Sequence, residues 1–366
     1  MSVAFFDITK QNQEDEKSIA QAVAKVIRSG RYILGENVTA LEKEFSELVG
    51  TKHSIGVANG TEAIHLALKA SGIKAGDEVI TSAFTFVATA EAIVYCGAKP
   101  IFADINPETF NLDPKSVEIK ITSKTKAILP VHLYGLSADM DAIMALAKKH
   151  NLVVIEDCAQ ATGAECNNKQ VGSIGTAGCF SFFPTKNLGC FGDGGMITTN
   201  DDNIAQEIRV LRGHGSRTTY HHDIIGYNSR LDELQAAIIR IKLPHLQNYI
   251  EKRRKNATVY FKELATLPNI TLPHEPKNTK HTYNQFTLKS TNRTKLVDHL
   301  RSQNIGAMIY YPLALHLQKA FAHLGYKKGD LPNTELVQDQ VFSLPIYPEL
   351  PSNELQEVCH CLKNAV

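Results

Sequence analysis

Apolar residues recur along this chain with two periods, and their alternation predicts the fold. Residues 13–28 carry Ile19, Val23, Val26 and Ile27 near helical spacing and stop at Gly30. Residues 38–49 repeat the pattern and stop at Gly50. Beyond them the period changes. Short apolar runs at 54–58, 78–81, 100–104, 127–131, 152–156, 178–183 and 196–199 read as strands, with helices at 62–70, 87–95 and 140–150 and another ending at Arg212. Strands alternating with helices predict an α/β domain with a mostly parallel sheet covered on both faces. A long helical region follows, 231–264, with a kink at Pro244. Residues 268–282 are then polar and hold Pro268, Pro273 and Pro276. The boundary is placed at Tyr249: a large domain 1–248 and a small domain 249–366. The small one is expected to hold strands 283–288 and 307–311, a helix at 294–303, and helices near Leu336 and Glu354.

Composition narrows the class. The 366 residues are 43% hydrophobic and carry a net charge of +1, which suits a soluble protein with sizeable cores. That balance offers no basic field for nucleic acid, and no apolar run reaches the length of a membrane span. The seven cysteines are scattered, and Cys359-His360-Cys361 is too tightly spaced for zinc, so no metal is expected. Reduced thiols and the absence of a signal-peptide pattern at residues 1–7 point to the cytoplasm.

Two strands end in chemistry. Lys186 follows the run 178–183 after a Pro184-Thr185 break, and Gly189, Gly192, Gly194 and Gly195 crowd the next turn. A lone lysine is ordinarily a solvated charge. One held at the end of a buried strand is instead placed to form a Schiff base, because partial desolvation lowers its pKa and frees the amine. The run 152–155 ends in Glu156 and Asp157. Ligands sit beyond the carboxyl ends of strands in open α/β sheets, so Asp157 is either a helix cap or a ligand contact. Together the pair suits pyridoxal 5'-phosphate (PLP), which needs an amine at its aldehyde carbon and an anion at its ring nitrogen. Asn59-Gly60-Thr61 stands between a strand and a helix, where main-chain amides favour an anion. Simple capping by Thr61 is the other reading.

Four stretches appear in order: Asn59-Gly60-Thr61-Glu62-Ala63, Glu156-Asp157-Cys158-Ala159-Gln160, Ser181 to Gly195 around Lys186, and Gly226-Tyr227-Asn228-Ser229-Arg230-Leu231-Asp232. With them the chain resembles the DegT/DnrJ/EryC1/StrS family of sugar aminotransferases from Gly30 to Pro345. The resemblance implies the aspartate aminotransferase type I fold, with a seven-stranded, mostly parallel sheet in a large domain and a smaller C-terminal α+β domain. It implies PLP, L-glutamate as donor, a nucleotide-linked keto sugar as acceptor, and a homodimer with shared active sites.

The roles it implies fall on particular residues. Gly60, Thr61, Glu62 and Ser181 would take the phosphate. Phe86 would stack on the ring, with Phe84 as the other register. Asp157 would meet the ring nitrogen, Gln160 the ring hydroxyl, and Lys186 would carry the cofactor. Asn228 would reach the partner's phosphate. Arg230 is either a surface ion pair or a contact to the sugar or diphosphate. Tyr310 replaces the histidine of a common His-Tyr-Pro, and His316 either lines the sugar pocket or caps a helix. His221 and His222 are either nucleotide contacts or a solvated loop. The lysine stretch resembles most the members that aminate C-3 of UDP-2-acetamido-3-keto-hexuronic acids. A dTDP-3-keto-6-deoxyhexose or a C-4 keto sugar is the alternative. A related PLP-dependent sugar dehydratase would carry histidine in place of Lys186. A nicotinamide oxidoreductase would need Gly-x-Gly-x-x-Gly after the first strand, and none stands there. A PLP-bound sensor would need a DNA-binding domain, for which the residues before Gly30 are too few.

Overall fold

A computed structural model describes residues 3–218 and 220–365. Two helices come first, α1 (Ile8–Ser29) and α2 (Glu36–Val49). Asp7 caps α1 by accepting from the Thr9 N–H, and Gly30 and Gly50 end the two helices with φ of 65° and 77°. The chain then alternates through β1 (His53–Val57), α3 (Gly60–Ala70), β2 (Glu78–Ser82), α4 (Val87–Tyr95) and β3 (Lys99–Ala103). It continues through α5 (Pro114–Lys120), β4 (Thr125–Leu129), α6 (Met140–His150), β5 (Val153–Asp157), β6 (Ala177–Ser181), β7 (Gly195–Thr199) and α7 (Asp202–Arg212).

The seven strands form one sheet in the order β1-β7-β6-β5-β4-β2-β3. Only the pairings of β7 are antiparallel. Ile55, Val57, Ile155 and Ile197 pack with α3 on one face. Phe45 of α2 meets Phe180 and Phe182 edge-on at 5.0 and 5.6 Å on the other. This is the α/β sheet expected from the alternation, and both faces are dry because helices cover both.

The long helical region divides where Pro244 stands. Helix α8 (Glu233–Lys242) gives way to a 3-10 turn, Leu243–His245, and then to α9 (Leu246–Leu264). Helix α9 serves two cores. Leu246 and Ile250 pack beneath the sheet, whereas Ala257, Tyr260 and Leu264 belong to a second core. That core includes β8 (Phe286–Lys289), α10 (Arg293–Ser302), β9 (Val341–Leu344) and α12 (Ser352–Ala365), while α11 (Pro332–Gln338) lies before β9. Strands β8 and β9 pair antiparallel.

The structure adds one helix to the expected alternation, α5, which Asp113 caps and Pro114 opens, and it corrects two expectations. Residues 307–311 form no strand. Met308 makes a single bridge to Ser343, and the Tyr310 carbonyl is taken by the Tyr134 hydroxyl instead of a ladder. The cap of α3 is Asn59, not Thr61: its Oδ1 accepts from the Glu62 N–H at 2.9 Å. Among the described residues, no helix is long and apolar enough to cross a membrane.

Candidate active site

The site grows from the carboxyl ends of β5 and β6. These strands are parallel neighbours with Asp157 opposite Cys179, so the residues that follow each leave the sheet side by side. Asp157 is the last residue of β5 and is buried. Its Oδ2 accepts from the Thr89 hydroxyl at 2.8 Å and its Oδ1 from the Ala159 N–H at 3.1 Å. Burial nevertheless pushes its pKa up, because two hydrogen bonds do not replace the lost water. Such a carboxylate has no cation hydrogen-bonded to it among the described residues, and a protonated ring nitrogen would supply one.

Lys186 supplies the other half. It stands five residues past the end of β6 in a turn closed by its own N–H on the Phe183 carbonyl, 2.9 Å. The loop is fastened from below. Lys242 of α8 is buried and donates to the Gly189 carbonyl at 2.9 Å. Desolvation lowers the Lys186 pKa to about 8, and Asp157 acts in the opposite direction. The two side chains therefore lie close enough to feel each other's charge, and the amine is partly free near neutral pH.

The phosphate expectation meets a built cradle. A Cβ on Gly60 would lie 2.7 Å from the Ser181 Cβ, so only glycine lets the start of α3 approach β6 this closely. Because Asn59 takes the Glu62 N–H, the N–H groups of Gly60 and Thr61 are left at the helix N-terminus. The Ser181 Oγ accepts from the Phe183 N–H at 3.3 Å and keeps its own proton to donate. Two amides, a hydroxyl and a helix dipole suit a phosphate. The structure thus brings Gly60, Thr61, Glu62 and Ser181 to one place, with Asp157 at the neighbouring strand end and Lys186 in the loop that follows Ser181.

Burial separates the two aromatic candidates. Phe84 is wholly buried, whereas Phe86 is 58% exposed at the N-cap position of α4, three residues before Thr89. Gln160 is buried, with its amide bonded to the Tyr134 N–H and to the Tyr311 hydroxyl. Thr89, Tyr134 and Tyr311 were missed from the sequence. Only Thr89 left a signal there, one helical turn beyond Phe86.

Other candidates stand apart. Asn228 is exposed; its backbone bridges Gly213, and its Oδ1 accepts from Arg230, with no hydrogen bond to the cradle. The Arg230 Nε is buried without a partner. Tyr310 is half-buried with its ring 6.0 Å from Phe5. His316 departs from expectation. Its side chain has no exposed surface and its Nε2 lies 3.0 Å from Glu335, so it neither lines an open pocket nor caps a helix. His221 and His222 are exposed in a two-stranded ribbon.

One further polar cluster lies under Asp157. His132, Glu156 and Cys158 are buried close together. The Glu156 carboxylate accepts from the Gly172, Ile174 and Gly175 N–H groups at 2.9, 2.9 and 2.6 Å and from His132 Nε2 at 3.0 Å. His132 Nδ1 accepts from the Ala138 N–H at 3.0 Å, which places the ring proton on Nε2. Each lone pair is spoken for, and burial holds the Cys158 thiol protonated. The cluster braces the end of β5 and leaves no ligand for an ion.

Comparison with known proteins agrees with this geometry. A Geobacillus stearothermophilus chain called a pleiotropic regulatory protein is 51% identical over 98% of this chain and 97% of its own length. A UDP-N-acetyl-3-dehydro-α-D-glucosamine 3-aminotransferase of Acidithiobacillus ferrooxidans is 46% identical over 95% and 94%. A UDP-2-acetamido-2-deoxy-3-oxo-D-glucuronate aminotransferase of Pseudomonas aeruginosa is 42% identical over 99% and 100%. Others are named for dTDP-linked amino sugars. The crystal structure of S. venezuelae DesV in complex with a ketimine intermediate superposes with a TM-score of 0.97 at 41% identity, covering 99% of this chain and 98% of that one. Bacillus subtilis NtdA with bound cofactor PMP gives 0.93 at 33%, covering 100% and 85%. The model of one family spans residues 13–363, and the chain belongs to it: the DegT/DnrJ/EryC1/StrS aminotransferases, which depend on pyridoxal phosphate.

Proposed function

We propose that this aminotransferase moves an amino group from L-glutamate to a nucleotide-linked keto sugar. The observation that carries the reading is the desolvated Lys186 amine beside the buried Asp157 carboxylate, next to the Gly60–Ser181 cradle. Bound there, PLP would supply an electrophilic carbon for the donor amine and an electron-withdrawing ring. Lys186 Nζ would hold the cofactor and, when free, take the proton from the donor's α-carbon. Asp157, held in place by Thr89 and the Ala159 N–H, would keep the ring nitrogen protonated. Gly60, Thr61, Glu62 and Ser181 would take the phosphate, and Phe86 would stack on the ring. The boundary at Tyr249 between domains 1–248 and 249–366 is supported by the two cores that α9 joins.

The partner is a second copy of this chain. The exposed Tyr32, Ile33 and Leu34 adjoin the start of α8, where the Glu233 N–H donates to the Tyr32 carbonyl at 3.0 Å. Exposed Phe191 is tied to the same turn through Gln235. Asn228 and Arg230 lead into it. Beside Lys186, Asn187 is buried with both amide atoms unpartnered. Exposed apolar residues on these segments, together with an exposed Asn228, support a dimer in which Asn228 serves the partner's phosphate. The seven free, buried cysteines support a cytoplasmic setting.

For the sugar, Arg230 favours a UDP-2-acetamido-3-keto-hexuronic acid. Its Nη2 donates to Asn228, and its buried Nε is left without an acceptor. A uronate carboxylate matches that fork. A 3-keto-glucosamine offers a hydroxymethyl group there, and a dTDP-3-keto-6-deoxyhexose only a methyl.

Covalent capture of PLP is expected to speed up with pH and reach half its limit near pH 8, where Lys186 loses its proton, not near 10.5; stopped-flow absorbance checks this. A midpoint near 10.5 means the amine is solvated. Mixing Lys186→Ala with Asn228→Asp chains is expected to restore activity, since one site of each mixed dimer then keeps both residues. No recovery after verified subunit exchange places Asn228 in its own subunit's site. In competition, the UDP-keto-uronate is expected to have the highest kcat/KM of the three sugars, and Arg230→Ala to lower its advantage about tenfold or more. A higher kcat/KM for either rival rejects the uronate.

A further inference from the structure

We propose that Tyr311 and Tyr134 are positioning residues that lock the Gln160 amide in one orientation, with a hydrogen of Nε2 presented to the cofactor's ring hydroxyl. This rests on the PLP reading above.

The hydrogen bonds determine which end of the amide is which. The Tyr134 N–H lies 2.7 Å from one end, and an N–H only donates, so that end is Oε1. The other end is then Nε2, which donates one hydrogen to the Tyr311 hydroxyl oxygen at 3.0 Å. Its second hydrogen remains. A flipped amide would set N–H against N–H at Tyr134 in a buried place and lose that bond, although the Tyr311 hydroxyl could turn to donate. Gln160 is therefore held from two sides: the Tyr134 N–H selects the orientation, and the Tyr311 hydroxyl pins the Nε2 end in place.

Tyr134 is itself held in an unusual state. Its φ is 60° and ψ 4°, a left-handed conformation that bulky side chains rarely adopt. Such strain persists only where surroundings over-determine it, and it gathers at functional sites. Here the surroundings are visible. The Tyr134 ring is buried, its hydroxyl donates to the Tyr310 carbonyl, and its own carbonyl accepts from the Gln285 N–H at 3.3 Å. The strained turn aims the Tyr134 N–H at Gln160, while the tyrosine hydroxyl grips the segment that delivers Tyr311.

Tyr311 arrives from the C-terminal part of the chain. Its ring is 6.4 Å from Phe86 and meets Phe84 edge-on at 6.2 Å. It thus stands among the residues assigned to the ring and couples the placement of segment 310–311 to the amide that touches it. An N–H fixed at the ring oxygen favours the ionised oxygen and so lowers the pH at which the bound cofactor gives up its proton. A loose amide would favour it less.

The test is an absorbance titration of bound PLP in wild type, Tyr311→Phe, Gln160→Ala and the double variant, without substrate. Tyr311→Phe keeps the ring and its packing, and thermal unfolding verifies that it folds. It is expected to raise the titration midpoint by about 0.5 pH unit. Gln160→Ala is expected to raise it at least as much, and Tyr311→Phe to add nothing in that background. Tyr134→Phe, which frees segment 310–311 but keeps the Tyr134 N–H, is expected to shift it upward by less. An unmoved midpoint in Tyr311→Phe, or a full extra shift on top of Gln160→Ala, overturns the proposal. A wild type that takes up no PLP overturns the cofactor reading instead.

Discussion

The site depends on two opposite charges drawn out of water side by side, Asp157 at the end of β5 and Lys186 in the loop that follows β6. Each resists its charged form. Asp157 is pushed toward neutrality and Lys186 toward a free amine, and each moderates the other. An aldehyde that takes the amine, joined to a cation that takes the carboxylate, satisfies both at once. The protein stores that complementarity in its sheet, because the parallel register of β5 and β6 sets the two strand ends next to each other.

Much of the remaining architecture keeps those ends still. Below Asp157, the saturated Glu156 carboxylate ties β5 to the 172–175 turn and to His132. The His132 N–H also donates to the Asp157 carbonyl at 3.0 Å. Below Lys186, the buried Lys242 holds the loop through Gly189. A buried carboxylate with four donors tolerates no loss of a partner without a large cost. Such braces explain why an α/β sheet, in itself indifferent to chemistry, presents these groups in fixed places.

The sheet was legible in the sequence because its signal is local. Alternating apolar runs predict strands and helices, and the strand ends named Asp157 and Lys186. The start of α3 was legible too, although the cap there falls to Asn59, since either residue type can cap and only geometry selects one. What was not legible depends on distant contacts. His316 reads as a pocket-lining or helix-capping residue, but its side chain is buried against Glu335, nineteen positions on. Residues 307–311 read as a strand until Tyr134 claims the Tyr310 carbonyl. Tyr134, Tyr311 and Gln160 lie far apart along the chain, and no periodicity records that they meet. The lone Glu156 beside Asp157 likewise carries no mark of its four partners.

The most direct measurement is the site of covalent attachment. The protein is loaded with PLP, reduced with borohydride, digested, and the labelled peptide identified by mass spectrometry. The account predicts the label on Lys186 and none on Lys186→Ala treated in the same way. A label on another lysine, or equal labelling of the variant, would contradict it.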